Sequence, residues 1–169
     1  MDAIPSHDQD ATRYAHPKLQ WTNVRQVVDA VSSALARRIL KQNVEMVTDV
    51  PRYLAIWVDP ELLRWAVTNL AMNALDAMGD GGRLVVTACT GCRGFELEVA
   101  DSGPGLSEEV RRHLFEPCYT TKSGGAGMGL SIVRRIATAH GGDVVATNCP
   151  EGGAAFTLRF PSQVSAVAA

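Results

Sequence analysis

The sequence predicts an α+β fold, a two-layer sandwich in which three main helices lie on one face of a mixed, mostly antiparallel sheet. Three segments carry helix signals, and two segments rich in β-formers follow each of them. The predicted order, a helix and then two strands, therefore occurs three times. Because strands and helices do not alternate singly, a doubly wound Rossmann sheet is disfavoured and a layered sandwich is favoured.

Length and composition indicate one ordinary soluble globular domain. The chain has 169 residues, of which 46% are hydrophobic and 20% charged, enough for one sizeable core. Its 16 basic and 18 acidic residues give a formal net charge of -2 at pH 7, so neither nucleic acid nor an anionic membrane is expected as a partner. The sequence shows no membrane-spanning run and no signal peptide, which favours a cytoplasmic setting, although a parent protein could still be membrane-anchored.

The chain is predicted to divide into three parts. Residues 1–17 are polar and aperiodic, which indicates a linker or the remnant of a preceding domain. The domain itself is expected to span 18–161. Residues 162–169 are expected to form a C-terminal tail.

One helix and a hairpin are predicted in the first part of the domain. From 22 to 40 the apolar residues recur at spacings of three and four, the pattern of an amphipathic helix. Two β-rich stretches follow, at 44–50 and 53–58, and Pro51 lies between them. We expect these two stretches to pair with each other as a hairpin.

The second predicted helix begins at Asp59 and Pro60 and runs to about Met78. The carboxylate can cap free backbone N–H groups, and proline tolerates the first helical position. The remaining predicted elements are a strand pair at 83–89 and 95–100, a loop at 101–127, a helix at 128–140 ended by Gly141 and Gly142, and a strand pair at 144–147 and 155–160.

Two asparagines on the second predicted helix form a candidate metal site. Asn69 and Asn73 lie four residues apart, so their carboxamides share one helical face. Carboxamide oxygens are hard donors that suit Mg²⁺, and Asp76, three residues further on, is placed to join them. The alternative is that both asparagines face solvent or hold a neighbouring strand.

A glycine-containing turn, Asp101-Ser102-Gly103-Pro104-Gly105, follows the strand predicted to end at residue 100. A carboxylate at a strand end can accept a hydrogen bond from an exocyclic amine, while glycines let a flat ring approach the backbone. Such a site suits adenine. The same run is also ordinary turn chemistry.

A second glycine run precedes the third predicted helix and ends at Gly129. Its backbone N–H groups and the helix N-terminus form a candidate phosphate cradle, although the run is neither a Walker loop nor a Rossmann fingerprint. The long loop before it suggests a lid, in which Phe115 could grip a neighbouring element and Lys122 could reach a phosphate. A flexible loop and a solvated lysine are the alternatives.

These four motifs, in this order, resemble the ATP-binding catalytic domain of sensor histidine kinases, within the GHKL superfamily. NLAMNALDAM is similar to the asparagine box, DSGPGL to the first glycine box, LFEPCYTTK to the phenylalanine box and GAGMGLSIV to the second glycine box. The resemblance covers about residues 18–161 and implies the Bergerat-type ATP-binding fold. NALDAMGDGG followed by a strand is most similar to kinases of the nitrogen-regulation type.

The resemblance implies a site for ATP and Mg²⁺. Asn73 would be the principal Mg²⁺ ligand with Asn69 beside it, and Asp101 would bind the adenine amine. The implied nucleotide-binding residues are Asn69, Asn73, Asp76, Asp101, Gly103, Gly105, Phe115, Lys122, Gly125, Gly127, Met128, Gly129 and Leu130.

One position favours phosphoryl transfer over hydrolysis. Hydrolysing members of the superfamily carry a glutamate base where this chain has Asn69, whose amide cannot abstract a proton from water. Transfer to a histidine is therefore expected. His7 lies too close to the domain for a two-helix hairpin, so the acceptor is expected on a dimerisation and phosphoacceptor domain absent from this chain. No residue here would be strictly catalytic, and a response regulator receiver domain would be an indirect partner.

Two departures from the family pattern predict a lowered nucleotide affinity. Cys118 stands where the family usually has an aromatic residue, and Ala154 stands where threonine often helps to hold adenine. Two other functions stay open: an anti-sigma-factor-type serine kinase and a nucleotide-sensing interaction module that transfers no phosphate. A two-helix segment encoded upstream of Met1 would argue against the first, and phosphoryl transfer to an added hairpin would argue against the second.

Overall fold

The computed structural model describes Tyr14 and residues 16–91, 94–119 and 127–161. In chain order the elements within these residues are β1 (Gln20–Asn23), α1 (Val24–Lys41), β2 (Val44–Asp49), β3 (Ala55–Val58), α2 (Pro60–Met78), β4 (Gly82–Gly91), β5 (Gly94–Asp101), α3 (Glu108–His113), α4 (Gly129–Ala139), β6 (Asp143–Asn148) and β7 (Ala154–Phe160). Among these described helices, none combines the length and apolar character needed to cross a bilayer.

Five of the strands form one mixed sheet in the order β2-β4-β5-β7-β6. β2 runs parallel to β4, and the other neighbouring pairs are antiparallel, as predicted. In the β4–β5 pair, Leu84 lies opposite Asp101 and Ala88 lies opposite Leu97. Asp101 therefore shares a face of the sheet with Leu84 and Leu97, both of which are fully buried.

The three longer helices form one layer on this sheet. α2 contacts both α1 and α4 and packs on β4 and β5, while α1 packs on β2 and α4 packs on β6 and β7. Leu62 and Leu70 of α2 and Ile136 of α4 are completely inaccessible in the interface between the layers. Burying each such side chain contributes about 1.5–3 kcal/mol. The predicted two-layer α+β sandwich is confirmed.

The Asp-Pro start predicted for the second helix is confirmed. Asp59 Oδ1 accepts hydrogen bonds from the backbone N–H groups of Glu61 and Leu62, at 3.0 and 3.1 Å, and Pro60 is the first helical residue. A cap of this kind contributes about 1 kcal/mol. It fixes the start of α2, and therefore the position of the asparagines that the helix carries.

The predicted hairpin between 44–50 and 53–58 is wrong. β2 pairs in parallel with β4, whereas β3 pairs antiparallel with β1 in a separate two-stranded sheet. Alternating residues identify a strand but not its partner, and a parallel partner requires a long crossover, here β3 and α2. The first helix also begins at Val24, two residues later than predicted, because the residues before it belong to β1.

The loop predicted at 101–127 contains the short helix α3. None of its six residues is buried, so it has no apolar stripe that a periodicity search could find. Its start nevertheless carries a signal. Ser107 Oγ accepts a hydrogen bond from the N–H of Val110 at 3.2 Å, and two glutamates occupy the first turn.

Candidate functional site

The two asparagines of α2 lie beside the first residue of α4. Asn69 Nδ2 donates a hydrogen bond to the carbonyl of Trp65 at 2.9 Å, one turn earlier in the helix. A Cβ built on Gly129 would lie 3.1 Å from Asn69 Oδ1 and 3.8 Å from Asn73 Nδ2. The structure therefore brings Asn69, Asn73 and Gly129 together, and Gly129 leaves the space in front of the asparagines open.

The N-terminus of α4 lies at this same place. Met128 is the N-cap residue, and its carbonyl accepts a hydrogen bond from Ser131 Oγ at 2.9 Å. Met128 and Leu130 are both half-buried. The first N–H groups of a helix lack intrahelical partners and carry a partial positive charge, so this end of α4 suits an anion.

Asp101 is a buried carboxylate at the end of β5, with only 6% of its surface exposed. Its Oδ1 accepts hydrogen bonds from the backbone N–H groups of Gly103, at 2.8 Å, and Ala154, at 3.3 Å. Among the described residues, no group donates to Oδ2. Burial raises the pKa of Asp101 above its ordinary value of 3.8, and the two backbone hydrogen bonds oppose that rise.

The loop after Asp101 passes close beneath α2. A Cβ on Gly103 would lie 2.8 Å from Asp101 Oδ1 and 3.4 Å from the Cβ of Ala77, so a larger residue would push the loop away from the helix. Gly105 adopts a φ of 78°, a conformation that glycine tolerates best. The structure therefore brings the predicted adenine-side residues Asp101 and Gly103 to the C-terminal end of α2, and Gly105 follows them against Asn148 and Gly153.

Within the region of the predicted lid, the backbone at 118–119 lies beside Gly127. Phe115, also in the predicted lid, packs against the core. Cys118 adopts a φ of 63°, and a Cβ on Gly127 would lie 2.6 Å from the carbonyl carbon of Cys118 and 2.8 Å from the carbonyl oxygen of Tyr119. The backbone at 118–119 therefore lies against Gly127. The predicted phosphate-binding residues Lys122 and Gly125 lie outside the described residues, as do His7 and the predicted tail at 162–169.

Asp76 has a contact that the sequence did not predict. Its carboxylate forms an ion pair with the guanidinium of Arg38 on α1, and each side chain is 33% exposed. Arg38 Nε also donates to Gln42 Oε1 at 3.1 Å. Asp76 thus joins α2 to α1, and the structure assigns it this packing role whatever it contributes to the nucleotide site.

The sequence also did not predict a cluster of three side chains beside the asparagines. The ring of Tyr14 stacks on Trp65, with centroids 5.7 Å apart and planes inclined by 23°, and the Arg135 guanidinium lies 5.0 Å above the tyrosine ring. Trp65 is the residue whose carbonyl orients Asn69. Its spacing of four from Asn69 is a signal that the sequence did contain, whereas the contact with Tyr14 is not visible in any local pattern.

The chemistry of the donor set fits a hard cation. Within the part of the chain that the structure describes, no three His, Cys, Asp or Glu side chains lie together as a metal-binding group. The oxygen donor that does face the α4 N-terminus is Asn69 Oδ1, because its Nδ2 is bound to Trp65. Mg²⁺ uses one or two protein oxygens beside phosphates and water, so a carboxamide pair is sufficient.

A protein-family model defines the class to which this fold and site belong. Residues 58–164, more than half of the chain, match the family described as histidine kinase-, DNA gyrase B- and HSP90-like ATPases. The chain therefore belongs to this ATPase family, and ATP is the nucleotide that membership implies. The matched residues include Asn69, Asn73, Asp101 and Gly129.

Similar curated proteins include a sensor histidine kinase and a transport sensor protein. The chain is 30% identical over 164 residues to the sensor histidine kinase ZraS of Klebsiella oxytoca, an alignment that covers 95% of this chain and 35% of ZraS. It is 35% identical over 176 residues to the C4-dicarboxylate transport sensor protein DctB of Pseudomonas aeruginosa, covering 100% of this chain and 29% of DctB. The chain thus spans about a third of the length of these relatives.

Solved structures agree with this assignment. The catalytic domain of histidine kinase ThkA superposes with a TM-score of 0.80 at 28% identity, covering 85% of this chain and 95% of that domain. Full-length ShkA in complex with AMPPNP superposes with a TM-score of 0.74 at 28% identity, covering 92% of this chain and 34% of ShkA. The resemblance to histidine-kinase catalytic domains that the motifs predicted is therefore confirmed.

Proposed function

We propose that this chain is the ATP-binding catalytic domain of a two-component sensor histidine kinase. In this proposal it positions Mg²⁺-ATP for phosphoryl transfer to a histidine on a separate dimerisation domain. The observation that carries the proposal is the meeting of Asn69 and Asn73 with the N-terminus of α4 at Gly129. Two carboxamides beside a helix N-terminus, with Asn69 Oδ1 facing it, suit the Mg²⁺ and the phosphates of a bound nucleotide.

The adenine end of the nucleotide lies at Asp101. Oδ1 is already used by two backbone N–H groups, so Oδ2 is the oxygen that accepts a hydrogen bond from the exocyclic amine of adenine. Gly103 and Gly105 leave the adjacent loop without side chains, so a flat ring can approach the backbone. A carboxylate accepts but does not donate, which disfavours the carbonyl that guanine carries at the corresponding position.

The phosphate end lies at the start of α4. Gly127, Met128, Gly129 and Leu130 present backbone N–H groups there, and the helix dipole favours negative charge. Gly125 and Lys122 complete this part of the proposed site through the family resemblance alone, since both lie outside the described residues.

Asn73, with Asn69 beside it, would hold Mg²⁺ in this site. When bound, the ion would neutralise phosphate charge, which is the main requirement of phosphoryl transfer. Asn69 also disfavours hydrolysis of the nucleotide by water. Its amide cannot act as a general base toward water, and its Nδ2 is already committed to Trp65. Transfer to an acceptor on another domain is therefore favoured over hydrolysis.

The partners of the site follow from the same proposal. The acceptor histidine belongs to a dimerisation and phosphoacceptor domain of the parent kinase, and a response regulator receiver domain takes the phosphoryl group from it. A structure of ThkA in complex with the response regulator TrrA, 26% identical with a TM-score of 0.75, supports such a partnership. The nitrogen-regulation subtype and the cytoplasmic location stay predictions.

Calorimetric titration with a non-hydrolysable ATP analogue, with and without Mg²⁺, tests the site. We expect binding that Mg²⁺ strengthens and that a GTP analogue does not reproduce. Asn73→Ala should remove the Mg²⁺ enhancement while leaving metal-free binding in place. If millimolar ATP analogue does not bind to the unaltered chain, the proposed nucleotide site is wrong.

A second experiment tests the reaction. Mixing the chain with the phosphoacceptor hairpin of the parent kinase and radiolabelled ATP should label a histidine on the hairpin, and Asp101→Asn should reduce that labelling. Nucleotide binding without any transfer would favour the interaction-module alternative. Labelling of a serine on a partner protein would instead favour the anti-sigma-factor-type kinase.

A further inference from the structure

The segment from Asp101 to Leu106 contacts the two residues that flank the turn between β6 and β7, Asn148 and Ala154. One contact is the hydrogen bond from the Ala154 N–H to Asp101 Oδ1. The other is made by Asn148, the last residue of β6. Its Oδ1 accepts from the N–H of Leu106 at 2.7 Å, and its Nδ2 donates to the carbonyl of the same residue at 2.9 Å.

This paired contact matches one carboxamide to both backbone groups of Leu106. An amide side chain supplies an acceptor and a donor side by side, which complement the N–H and the C=O that a single residue presents. The two residues are 42 positions apart, so the contact fixes the loop against a distant strand. Leu106 directly precedes Ser107, the N-cap residue of α3, and therefore lies between the adenine-side turn and the lid.

The glycines beside the contact show how closely the two segments approach. A Cβ on Gly105 would lie 3.0 Å from Asn148 Oδ1 and 3.2 Å from the carbonyl oxygen of Gly153. That carbonyl accepts a hydrogen bond from the N–H of Cys149 at 3.0 Å. Gly105 thus packs directly against the β6–β7 turn, whose backbone is held by its own hydrogen bond.

We propose that Asn148 is a positioning residue for nucleotide binding, which holds the Gly103–Leu106 segment in the place that adenine recognition by Asp101 requires. This inference rests on the proposed function. Asn148 does not touch the nucleotide in this proposal. It acts by keeping the ring-facing backbone at Gly103 and Gly105 a fixed distance from the carboxylate, and preorganisation of this kind lowers the cost of ordering a loop on binding.

The test is calorimetric titration of the full chain and its variants with a non-hydrolysable ATP analogue. Asn148→Ala removes both hydrogen bonds and should raise the dissociation constant by about three- to tenfold, as expected for an exposed hydrogen-bond pair. Asn148→Asp keeps the shape and the acceptor but places a carboxylate oxygen against the Leu106 carbonyl, and should weaken binding at neutral pH at least as much. Thr147→Ala, at the preceding exposed position of β6, is the matched control and should bind as the unaltered chain does.

A double-mutant cycle with Asp101→Asn distinguishes positioning from general damage. If Asn148 acts through the placement of the loop at Asp101, its substitution should cost little further affinity once the carboxylate is gone. A full, additive loss in the Asp101→Asn background would overturn the inference. So would unchanged affinity of Asn148→Ala, or an equal loss in Thr147→Ala. Failure of the unaltered chain to bind the analogue would instead refute the proposed function.

Discussion

Asp101 combines two properties that belong to a ligand site rather than to a core. It is nearly inaccessible and shares a sheet face with apolar residues, yet only one of its oxygens is used by the described residues. Burying a carboxylate is unfavourable unless its oxygens find partners. A nucleotide amine would supply the partner for Oδ2.

Asp101→Asn should therefore weaken binding of the ATP analogue by at least about tenfold, the loss expected for one charge-assisted hydrogen bond. The amide oxygen can keep the contacts with Gly103 and Ala154, but the amide nitrogen then faces the adenine amine as a second donor. Calorimetry measures the change. Equal affinity of the variant and the unaltered chain would remove Asp101 from the site.

The same substitution should affect stability in a pH-dependent way. Because burial raises the pKa of Asp101 above 3.8, the folded state favours the protonated acid. Its contribution to stability is present below pH 3.8 and is lost as the pH rises through the raised pKa. The melting temperature of Asp101→Asn, relative to the unaltered chain, should therefore rise with pH across that window. A difference that falls with pH would contradict the assignment.

The residues of the site differ in how far the sequence could predict them. Asn69, Asn73 and Asp101 lie in short motifs whose spacing already implies a shared face or a strand end. The contacts of Asp76 with Arg38, and of Asn148 with Leu106, join residues about forty positions apart. No local pattern specifies such pairs, because they depend on how the completed helices and strands pack together.

At the scale of the elements, His140 joins the end of α4 to the start of α2. Its Nε2 accepts a hydrogen bond from the Asp59 N–H at 3.0 Å, which leaves Nδ1 protonated and donating to the Ile136 carbonyl at 2.8 Å. The ring also lies 5.2 Å from the ring of Phe160. One imidazole therefore connects the two helices that carry the site, together with the last strand.

His140→Ala should lower the free energy of unfolding by about 1–3 kcal/mol, because it leaves a part-buried N–H without its acceptor. Urea denaturation monitored by circular dichroism measures this. His16→Ala, at an exposed position before β1, is the control and should change stability by less than about 0.5 kcal/mol. Similar losses of unfolding free energy in both variants would show that the hydrogen bonds of His140 stabilise the fold no more than an exposed histidine does.

The contact between Gly127 and the backbone at 118–119 can be tested with a matched pair of glycines. Gly127 and Gly79 have nearly the same φ, 65° and 67°, but a Cβ on Gly127 would meet the Cys118 backbone whereas a Cβ on Gly79 would meet no atom within 4 Å. Gly79→Ala should cost about 1–3 kcal/mol of stability through backbone strain and leave nucleotide affinity unchanged. Gly127→Ala should also weaken ATP-analogue binding, by about tenfold, equivalent to about 1.4 kcal/mol. Equal affinities of the two variants for the ATP analogue would show that the contact at Gly127 is not needed for nucleotide binding.

Strand pairing marks the limit of what the sequence predicts about elements. The helices at 60–78 and 129–139 and the β4–β5 pair follow from caps, glycine stops and alternation. The partners of β2 and β3 do not, since each pairs with a strand that is remote in sequence. β1 has only four residues and leads directly into α1, so its last two residues fall within the predicted helix.

At the scale of the whole molecule, the order of the predicted helices and strands and the composition of the chain were sufficient to predict a layer of helices on one sheet. Each long helix carries one apolar stripe, and one sheet face covers all three, so the α+β sandwich is the arrangement that buries them. The alignments cover 35% of ZraS and 29% of DctB, so this fold corresponds to about a third of each relative.

The order of the strands has a consequence for how the sheet opens. β5 lies between β4 and β7, whereas β2, among the described strands, neighbours β4 alone and is joined to it through a long crossover. Edge strands joined by distant contacts open at lower free energy than central ones. Amide hydrogen exchange should therefore be slowest in β5 and faster in β2. Because Asp101 ends β5, we expect the carboxylate proposed to select adenine to lie on the strand of the sheet that opens least often.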